Sequence, residues 1–251
     1  MKMSDIIVCS DFDDTINNLL PAWLNWLNNM YGYNVKTEDI VEWGMEKVYP
    51  NLAPSQIYEP LRLEEFWKTV TIKQDAMEYI PKLIDEGVTF YIATATSFHN
   101  ICTKVENCLL PNLPFMTKEH IISIHHKHLL KCTFLIDDYP KNLEGGDYIK
   151  ILMNAPHNQN SNNIEDYRVS SWKEIYDIIH QYINAHTISK KQYVLEPGSS
   201  FRMWISTYDN GKLIESKKLW EDEVFDYVGE LQAQGFERAF TKSVVEKAKN
   251  V

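Results

Sequence analysis

The chain has 251 residues, 44% of them hydrophobic, with 7 Trp, 14 Tyr and 10 Phe. This is enough apolar material for one α/β domain carrying an insertion or a small appendage, and it excludes a disordered chain. The formal net charge of −10 disfavours a partner such as a long nucleic acid, because displacing its counterions needs a basic surface; a small anion held through a metal stays compatible.

The first apolar run, Ile6-Ile7-Val8-Cys9, reads as a strand that ends at Asp11-Phe12-Asp13-Asp14-Thr15. Residues i and i+2 of a strand project to the same side, so Asp11 and Asp13 are expected to leave the strand end together. The run is too short for the apolar core of a signal peptide, and no stretch reaches transmembrane length, so no membrane contact is expected and a cytoplasmic location is the default. Leu19, Leu20, Trp23, Trp26, Leu27 and Met30 then follow at helical spacing up to Gly32. Further helices are expected over 37 to 47 and 55 to 70, punctuated by Pro50, Pro54 and Pro60, so that residues 16 to 72 form a helical insertion.

A helix over 75 to 86 stops at Gly87, and Val88 to Ala93 is the next strand, with Thr94 at its end. A helix near 98 to 108 and strands at Ile121-Ile122, Thr133 to Ile136 and 149 to 153 continue the alternation, and Trp172 to Ile183 closes it with a helix. Strands alternating with helices predict an α/β fold with a doubly wound parallel sheet, built from residues 1–15 and 73–186. In such a sheet the ligand site lies beyond the carboxyl ends of the strands, where Asp11, Thr94 and Asp137 all fall. Residues 187–251 read as a small α+β appendage: a hairpin of Phe201–Tyr208 and Lys212–Lys217 around Asp209-Asn210-Gly211, then a helix over 220 to 233 with Glu221-Asp222-Glu223 in its first turn. For this appendage homodimerisation, extension of the insertion and recruitment of a partner all stand open.

Asp137-Asp138 follows Phe134-Leu135-Ile136 as Asp11 follows its own strand, which gives a second acidic strand terminus. Hard oxygen ligands of this kind suit Mg²⁺, which completes its octahedron with water and substrate phosphate. Lys127, ten residues before Asp137, offers a positive charge to the same phosphate, and Thr94 offers a hydroxyl. The neighbouring His125, His126 and His128 do not read as a metal site, since adjacent histidines point in different directions and no second Cys or His cluster has ligand spacing. The four cysteines, Cys9, Cys102, Cys108 and Cys132, form no CxxC pair and read as reduced, buried thiols.

Taken together, Asp11-x-Asp13-x-Thr15, Thr94, Lys127 and Asp137-Asp138 resemble the four motifs of the haloacid dehalogenase-like phosphatase superfamily. Within it the likeness is closest to the 5′(3′)-deoxyribonucleotidase family. Three features carry it: Phe134-Leu135-Ile136-Asp137-Asp138-Tyr139-Pro140, the Lys127 to Asp137 spacing, and Arg168-Val169-Ser170-Ser171-Trp172-Lys173-Glu174-Ile175. The resemblance covers roughly residues 4 to 184. It implies a magnesium-dependent phosphomonoesterase in which Asp11 is the nucleophile that becomes an aspartyl-phosphate and Asp13 the acid and base. Thr94 and Lys127 would hold the phosphoryl oxygens. It also implies that Asp11, Asp137 and the backbone carbonyl of Asp13 hold the metal, with Asp138 a further ligand through water or an orienting group.

The resemblance further implies that residues 16–72 are a cap that closes over the substrate. Phe66, Trp67 and Phe98 would then face a nucleobase, the competing reading being that Phe66 and Trp67 only pack the cap on the core. Two positions depart from the family pattern: Asp14 stands where Gly is usual, and Ala95 replaces a hydroxyl residue, so that Thr96 or Ser97 would supply the missing phosphate donor. Thr96 is also the rival of Thr94. The expected substrate is a small phosphomonoester, a deoxyribonucleoside monophosphate first and another metabolite such as a sugar phosphate second. A non-catalytic binding protein on the same scaffold is the rival from another class.

Overall fold

The computed structural model describes residues 6–97, 100–161, 164–186, 191–198, 202–209 and 212–238. The chain divides into two compact units, Met1–Ala185 and His186–Val251. Six parallel strands organise the first: β1 (Ile7–Ser10), β2 (Thr89–Thr94), β3 (Ile121–Ser123), β4 (Phe134–Asp137), β5 (Ile149–Met153) and β6 (Tyr167–Val169), in the order β3-β2-β1-β4-β5-β6. The order reverses at β1, so the chain leaves the sheet on either side of Asp11 and opens a crevice there.

The strands are apolar on both sides, as parallel strands covered on two faces must be. Val8, Phe90, Phe134, Ile136, Ile151 and Met153 join one cluster that takes in Ala76, Ile80, Leu83, Trp172, Ile175, Ile179 and Ile183, while Cys9, Ala93, Leu135 and Leu152 form another with Leu143 and Tyr148. The connections from β3 to β4 and from β4 to β5 are too short for a crossover α-helix. They carry 3₁₀ turns instead, Lys127–Leu129 and Pro140–Leu143, and the first of these delivers Lys127 under the strand ends. Strand β6 was not expected from the sequence, because three residues with only Val169 buried carry no readable period.

Between β1 and β2 the chain leaves and returns at one point: Asn17 bridges Ile72, the Asn18 N–H donates to the Thr71 carbonyl over 2.9 Å, and the Lys73 N–H donates to the Ile16 carbonyl over 2.9 Å. The insertion begins with helix α1 (Leu19–Tyr31), which ends where Gly32 turns left-handed at φ 72°. Leu20, Leu24 and Leu27 of α1 bury against Ile40, Met45, Tyr49 and Ile57, a small core separate from that of the sheet, while Met30, expected on the same stripe, is exposed. The helix expected over 37 to 47 is a single 3₁₀ turn, Thr37–Asp39. The Asp39 carboxylate takes the Lys36 N–H over 2.8 Å, and Gly44 adopts φ 106°, which no helix continues through. The helix expected over 55 to 70 is broken into α2 (Pro54–Tyr58), a 3₁₀ turn Glu59–Arg62 and α3 (Glu64–Trp67), because Pro60 has no N–H and Leu63 is extended.

Beyond the insertion, α4 (Gln74–Asp85) is followed by β2, then by α5 (Ile101–Lys104), which runs through one π turn into α6 (Leu110–Asn112), and α7 (Trp172–His186) closes the unit. Trp172 is fully buried. Its backbone N–H donates to Asp75 Oδ2 over 2.7 Å, and its indole Nε1 donates to the Thr15 carbonyl over 3.0 Å, so α7 is pinned to the turn that follows β1. The tryptophan of the Arg168–Ile175 motif thus supports the acidic loop directly.

In the second unit β7 (Lys191–Pro197), β8 (Arg202–Asp209) and β9 (Lys212–Trp220) form an antiparallel sheet, and β10 (Glu237–Arg238) adds to the β7 edge in parallel. Asp209 pairs with Lys212 as a tight hairpin requires; Asn210 and Gly211 lie outside the described residues. Strand β7 was not expected, since it carries no apolar–polar alternation: Lys191, Gln192 and Glu196 are polar, and the buried Tyr193 and Val194 are neighbours that enter different clusters on opposite faces. Helix α8 (Glu221–Ala233) starts with the three acids and lays Val224 and Leu231 on Tyr193, Ile205 and Phe236. Cys9 and Cys108 are buried as expected, but Cys102 is exposed and Cys132 half-buried. Among the described residues no helix is long and apolar enough to cross a membrane.

Trp172→Phe removes the donor to the Thr15 carbonyl and leaves a small void, so denaturant unfolding is expected to show a loss of about 1 to 3 kcal/mol. Because the second unit has an apolar core of its own, a chain ending at Ala185 is expected to keep the circular dichroism and cooperative unfolding of the first unit.

Candidate active site

The loop after β1 is built from an alternation that the strand imposes. Asp11 and Asp13 point into the crevice, while Phe12 between them is fully buried in the core. The Asp11 N–H donates to the Ile136 carbonyl over 2.8 Å, which ties the loop to the end of β4. Asp14 turns left-handed at φ 53°, a conformation that costs a side-chain-bearing residue roughly 1 kcal/mol and that glycine adopts freely. Three contacts hold it there: its N–H donates to Asn17 Oδ1 over 2.9 Å, its Oδ1 accepts the Leu20 N–H over 2.8 Å, and its carbonyl accepts Lys73 Nζ. The same aspartate therefore caps the start of α1, a role a glycine cannot fill.

Lys127 lies beneath this loop with only 1% of its surface exposed, and its Nζ donates to Asp11 Oδ1 over 2.5 Å and to Asp137 Oδ2 over 2.6 Å. Burial works against its charge, yet the Asp11 and Asp137 carboxylates hold it above the ordinary lysine range. Asp137 Oδ1 accepts the Tyr139 N–H over 2.9 Å and Asn142 Nδ2 over 3.1 Å. Asp138 Oδ1 accepts the Thr15 hydroxyl over 3.2 Å, and Asn158 Nδ2 donates to the Asp138 carbonyl over 2.7 Å.

Asp11, Asp137 and Asp138 each place a carboxylate oxygen within 4.8 Å of the others, and all three are buried. Burial pushes the Asp11 carboxyl up to about 8, against the pull of Lys127 and with further push from Asp137, Asp13 and Asp138. Burial likewise raises Asp137, and it raises Asp14 to about 7 with Asp138 adding to the effect. Asp138 Oδ2 is buried without a hydrogen bond among the described residues, with His157 Nε2 3.2 Å away. A set of hard oxygens with surplus negative charge and one orphaned carboxylate oxygen fits a divalent cation of the Mg²⁺ type. Among the described residues this is the sole cluster with such geometry, and the exposed His125, His126 and His128 belong to none.

Lys104 was missed in the sequence. It is fully buried, and its Nζ donates to Asp13 Oδ2, to Thr94 Oγ1 over 2.7 Å and to Thr96 Oγ1 over 2.8 Å, so all three ammonium protons are used. Asp13 Oδ1 in turn accepts Asn17 Nδ2 over 3.1 Å. The ammonium also sits 5.5 Å from the centre of the Trp67 ring and 5.6 Å from that of Phe12. A signal was present: Ile101, Lys104, Val105 and Cys108 share one helical face, and a lysine in an apolar stripe needs a buried partner.

The cavity above the carboxylates is walled by Leu19, Trp23, Trp43, Tyr58 and Leu61 of the insertion and by Ala95, Tyr139, Asn142 and His157 of the sheet unit. Trp43 stacks on Tyr139 with ring centres 4.5 Å apart and meets His157 edge-on at 5.0 Å, while Trp23 meets Tyr58 at 5.3 Å. An adjoining cavity shares Asp13, Leu19, Tyr58, Leu61 and Ala95 and adds Arg62, Trp67, Thr96, Ser97 and Asn100.

The expected substrate residues separate accordingly. Ala95, Thr96 and Trp67 line these cavities. Phe66 does not: it is fully enclosed, edge-on to Trp26 at 5.6 Å and to Trp67 at 5.5 Å, so its role is to pack the insertion on the sheet unit. Thr94 is also fully buried with its hydroxyl taken by Lys104, which leaves Thr96 as the threonine at the cavity wall. Phe98 lies outside the described residues. Trp43, Tyr58, Tyr139 and His157 were not expected, because residues far apart in sequence meet there without a local pattern.

Residues 5–188 match the family model described as "5' nucleotidase, deoxy (Pyrimidine), cytosolic type C protein". The chain is 29% identical over 167 residues to the 5'(3')-deoxyribonucleotidase of Clostridium acetobutylicum, a match that covers 65% of this chain and 89% of that protein. It is 27% identical over 169 residues to the 5'(3')-deoxyribonucleotidase of Bacillus subtilis, covering 67% of this chain and 95% of the relative. A haloacid dehalogenase family hydrolase from Deinococcus radiodurans, crystallised with phosphate and sodium, superimposes with a TM-score of 0.51 at 15% identity, covering 72% of this chain and 97% of that one, which shows the shared fold. The matched region spans the acidic loop, Lys104, Lys127 and the carboxylate triad, and the chain belongs to the 5′-nucleotidase, deoxy, type C family, on a haloacid dehalogenase-like fold.

Proposed function

We propose that this chain is a Mg²⁺-dependent phosphomonoesterase that hydrolyses nucleoside monophosphates, deoxyribonucleotides foremost, through an aspartyl-phosphate on Asp11. The observation that carries the reading is the convergence of Asp11, Asp13 and Lys127 with the Asp137-Asp138 pair at one set of strand ends. Similarity to two 5'(3')-deoxyribonucleotidases supports the substrate class.

Asp11, Asp137 and Asp138 would hold the metal ion, together with the carbonyl of Asp13. When bound, the ion supplies neutralisation of the phosphate charge. Asp11 attacks phosphorus in line with the leaving oxygen. Lys127, fixed against Asp11 and Asp137, offers its charge to the phosphoryl oxygens as negative charge shifts during transfer. Asp13 gives a proton to the leaving hydroxyl and later takes one from the water that hydrolyses the acyl phosphate, so the proton returns to Asp13 each cycle. Lys104 positions Asp13 from behind, and Thr96, at the cavity wall, is the hydroxyl placed to replace the donor that Ala95 lacks. Trp23, Trp43 and Tyr58 of the insertion, which acts as the cap, offer flat surfaces on which a base stacks; such stacking contributes about 1 to 3 kcal/mol.

With a panel of nucleoside monophosphates and sugar phosphates in Mg²⁺, kcat/KM is expected to favour the nucleotides by roughly tenfold or more, the worth of one stacked base; equal values across the panel would remove the nucleotidase reading. EDTA is expected to stop turnover, with recovery on excess Mg²⁺. Asp11→Asn is expected to lower kcat by about three orders of magnitude or more; if hydrolysis persists at the parent rate, Asp11 is not the nucleophile. Lys104→Met leaves the Asp13 carboxylate beside an apolar wall, and a loss of about 3 kcal/mol in thermal unfolding is expected together with a reduced kcat. A variant with unaltered melting and turnover would show the contact to be incidental.

A further inference from the structure

The two adjoining cavities differ in charge. The one above the carboxylates is walled by Asp11, Asp13, Asp14, Glu42, Asp137 and Asp138 with no lysine or arginine among its lining residues. The adjoining one has Asp13 as its one acid, already paired with Lys104, and it adds the guanidinium of Arg62. Arg62 is exposed at the end of a 3₁₀ turn of the cap and has no ion-pair partner among the described residues. The same cavity is lined by Ser97 and Asn100, whose hydroxyl and carboxamide are not hydrogen-bonded to protein among the described residues; Asn100 begins α5 without using its side chain as a cap. The Thr96 hydroxyl also lines this space, but it accepts from Lys104 and shares a hydrogen bond of 3.4 Å with the Thr94 hydroxyl.

Three donor groups with no other assignment, those of Arg62, Ser97 and Asn100, therefore line one small space, in a molecule whose net charge is −10. Guanidinium, hydroxyl and carboxamide together are the donors that recognise a phosphate, arginine by two parallel hydrogen bonds. The two cavities share Asp13, the residue beside the leaving oxygen, so a group in the adjoining one is carried by the leaving sugar rather than by the phosphoryl group that is transferred.

We propose that the space lined by Arg62, Ser97 and Asn100 binds a second phosphate of the substrate, so that nucleoside 3′,5′-bisphosphates are preferred to monophosphates. The proposal rests on the nucleotide phosphatase reading above. The test compares kcat/KM for a deoxynucleoside 3′,5′-bisphosphate with those for the matching 5′- and 3′-monophosphates, in Mg²⁺, for the full chain and for Arg62→Gln and Arg62→Lys. In the parent the bisphosphate is expected to lead by roughly tenfold or more, mainly through KM, as charge-assisted hydrogen bonds to phosphate imply. Arg62→Gln is expected to bring the ratio close to one, and Arg62→Lys to keep part of it. A ratio near one in the parent, or a ratio that Arg62→Gln leaves as it was, overturns this proposal while monophosphate hydrolysis stands. If the parent hydrolyses neither class of nucleotide, the reading beneath it falls as well.

Discussion

Lys127 is enclosed almost completely, and it is held by Asp11 on one strand end and Asp137 on another. Moving each of these charges out of water costs several kcal/mol, and their attraction offsets that only with close geometry on both sides. The strand order supplies the geometry. β1 and β4 are neighbours in register, Ser10 beside Ile136, so Asp11 and the end of β4 come level; the 3₁₀ turn before β4 then brings Lys127 up between them. A buried positive charge is thereby fixed in place at the strand ends, and preorganised charge of this kind is what electrostatic stabilisation of a transition state requires.

A second buried lysine repeats the arrangement on the other side of the loop. Lys104 reaches Asp13, Thr94 and Thr96 from the helix that follows β2. The two carboxylates that leave β1 together are thus served by different cations, and this gives them different surroundings from one strand and one alternation. Asp11 faces Lys127 and the other acids of the triad, where burial raises its carboxyl; Asp13 lies against Lys104 and Asn17 at the meeting of the two cavities. The proposed roles of Asp11 as nucleophile and Asp13 as proton carrier call for such a difference, since one must be ionised and the other must change its protonation during the cycle.

The loop itself carries strain that the rest of the unit holds in check. Asp14 turns left-handed, and Asn17, Leu20 and Lys73 hold all of its backbone and carboxylate contacts. Trp172 ties the next carbonyl, that of Thr15, to α7. Because Lys73 and Asn17 also stand where the insertion leaves and returns, the acidic loop and the root of the insertion are one hydrogen-bonded piece.

Much of this was legible in the chain because it is local. Apolar runs of four to six residues ending in acids or a threonine located β1, β2 and β4, and the i, i+2 rule set Asp11 beside Asp13 with Phe12 turned inward. The spacing from Lys127 to Asp137 marked the lysine that the turn delivers. The sequence by itself therefore determined strands β1 to β5, the strand ends where the acids gather and the C-terminal hairpin and helix, since these follow from periodicity and from turn residues. Tertiary structure alone decided which side chains meet across the cavity. Trp43 lies on Tyr139 and His157, Lys104 on Asp13, and Arg62 in one cavity with Asn100, while Phe66 withdraws into the core. Such pairings depend on how the insertion folds back over the strands, and its path is set by Gly44, Pro60 and the Asp39 cap rather than by a helical period. A side chain's partner is a matter of packing between distant segments, and no spacing along the chain encodes it.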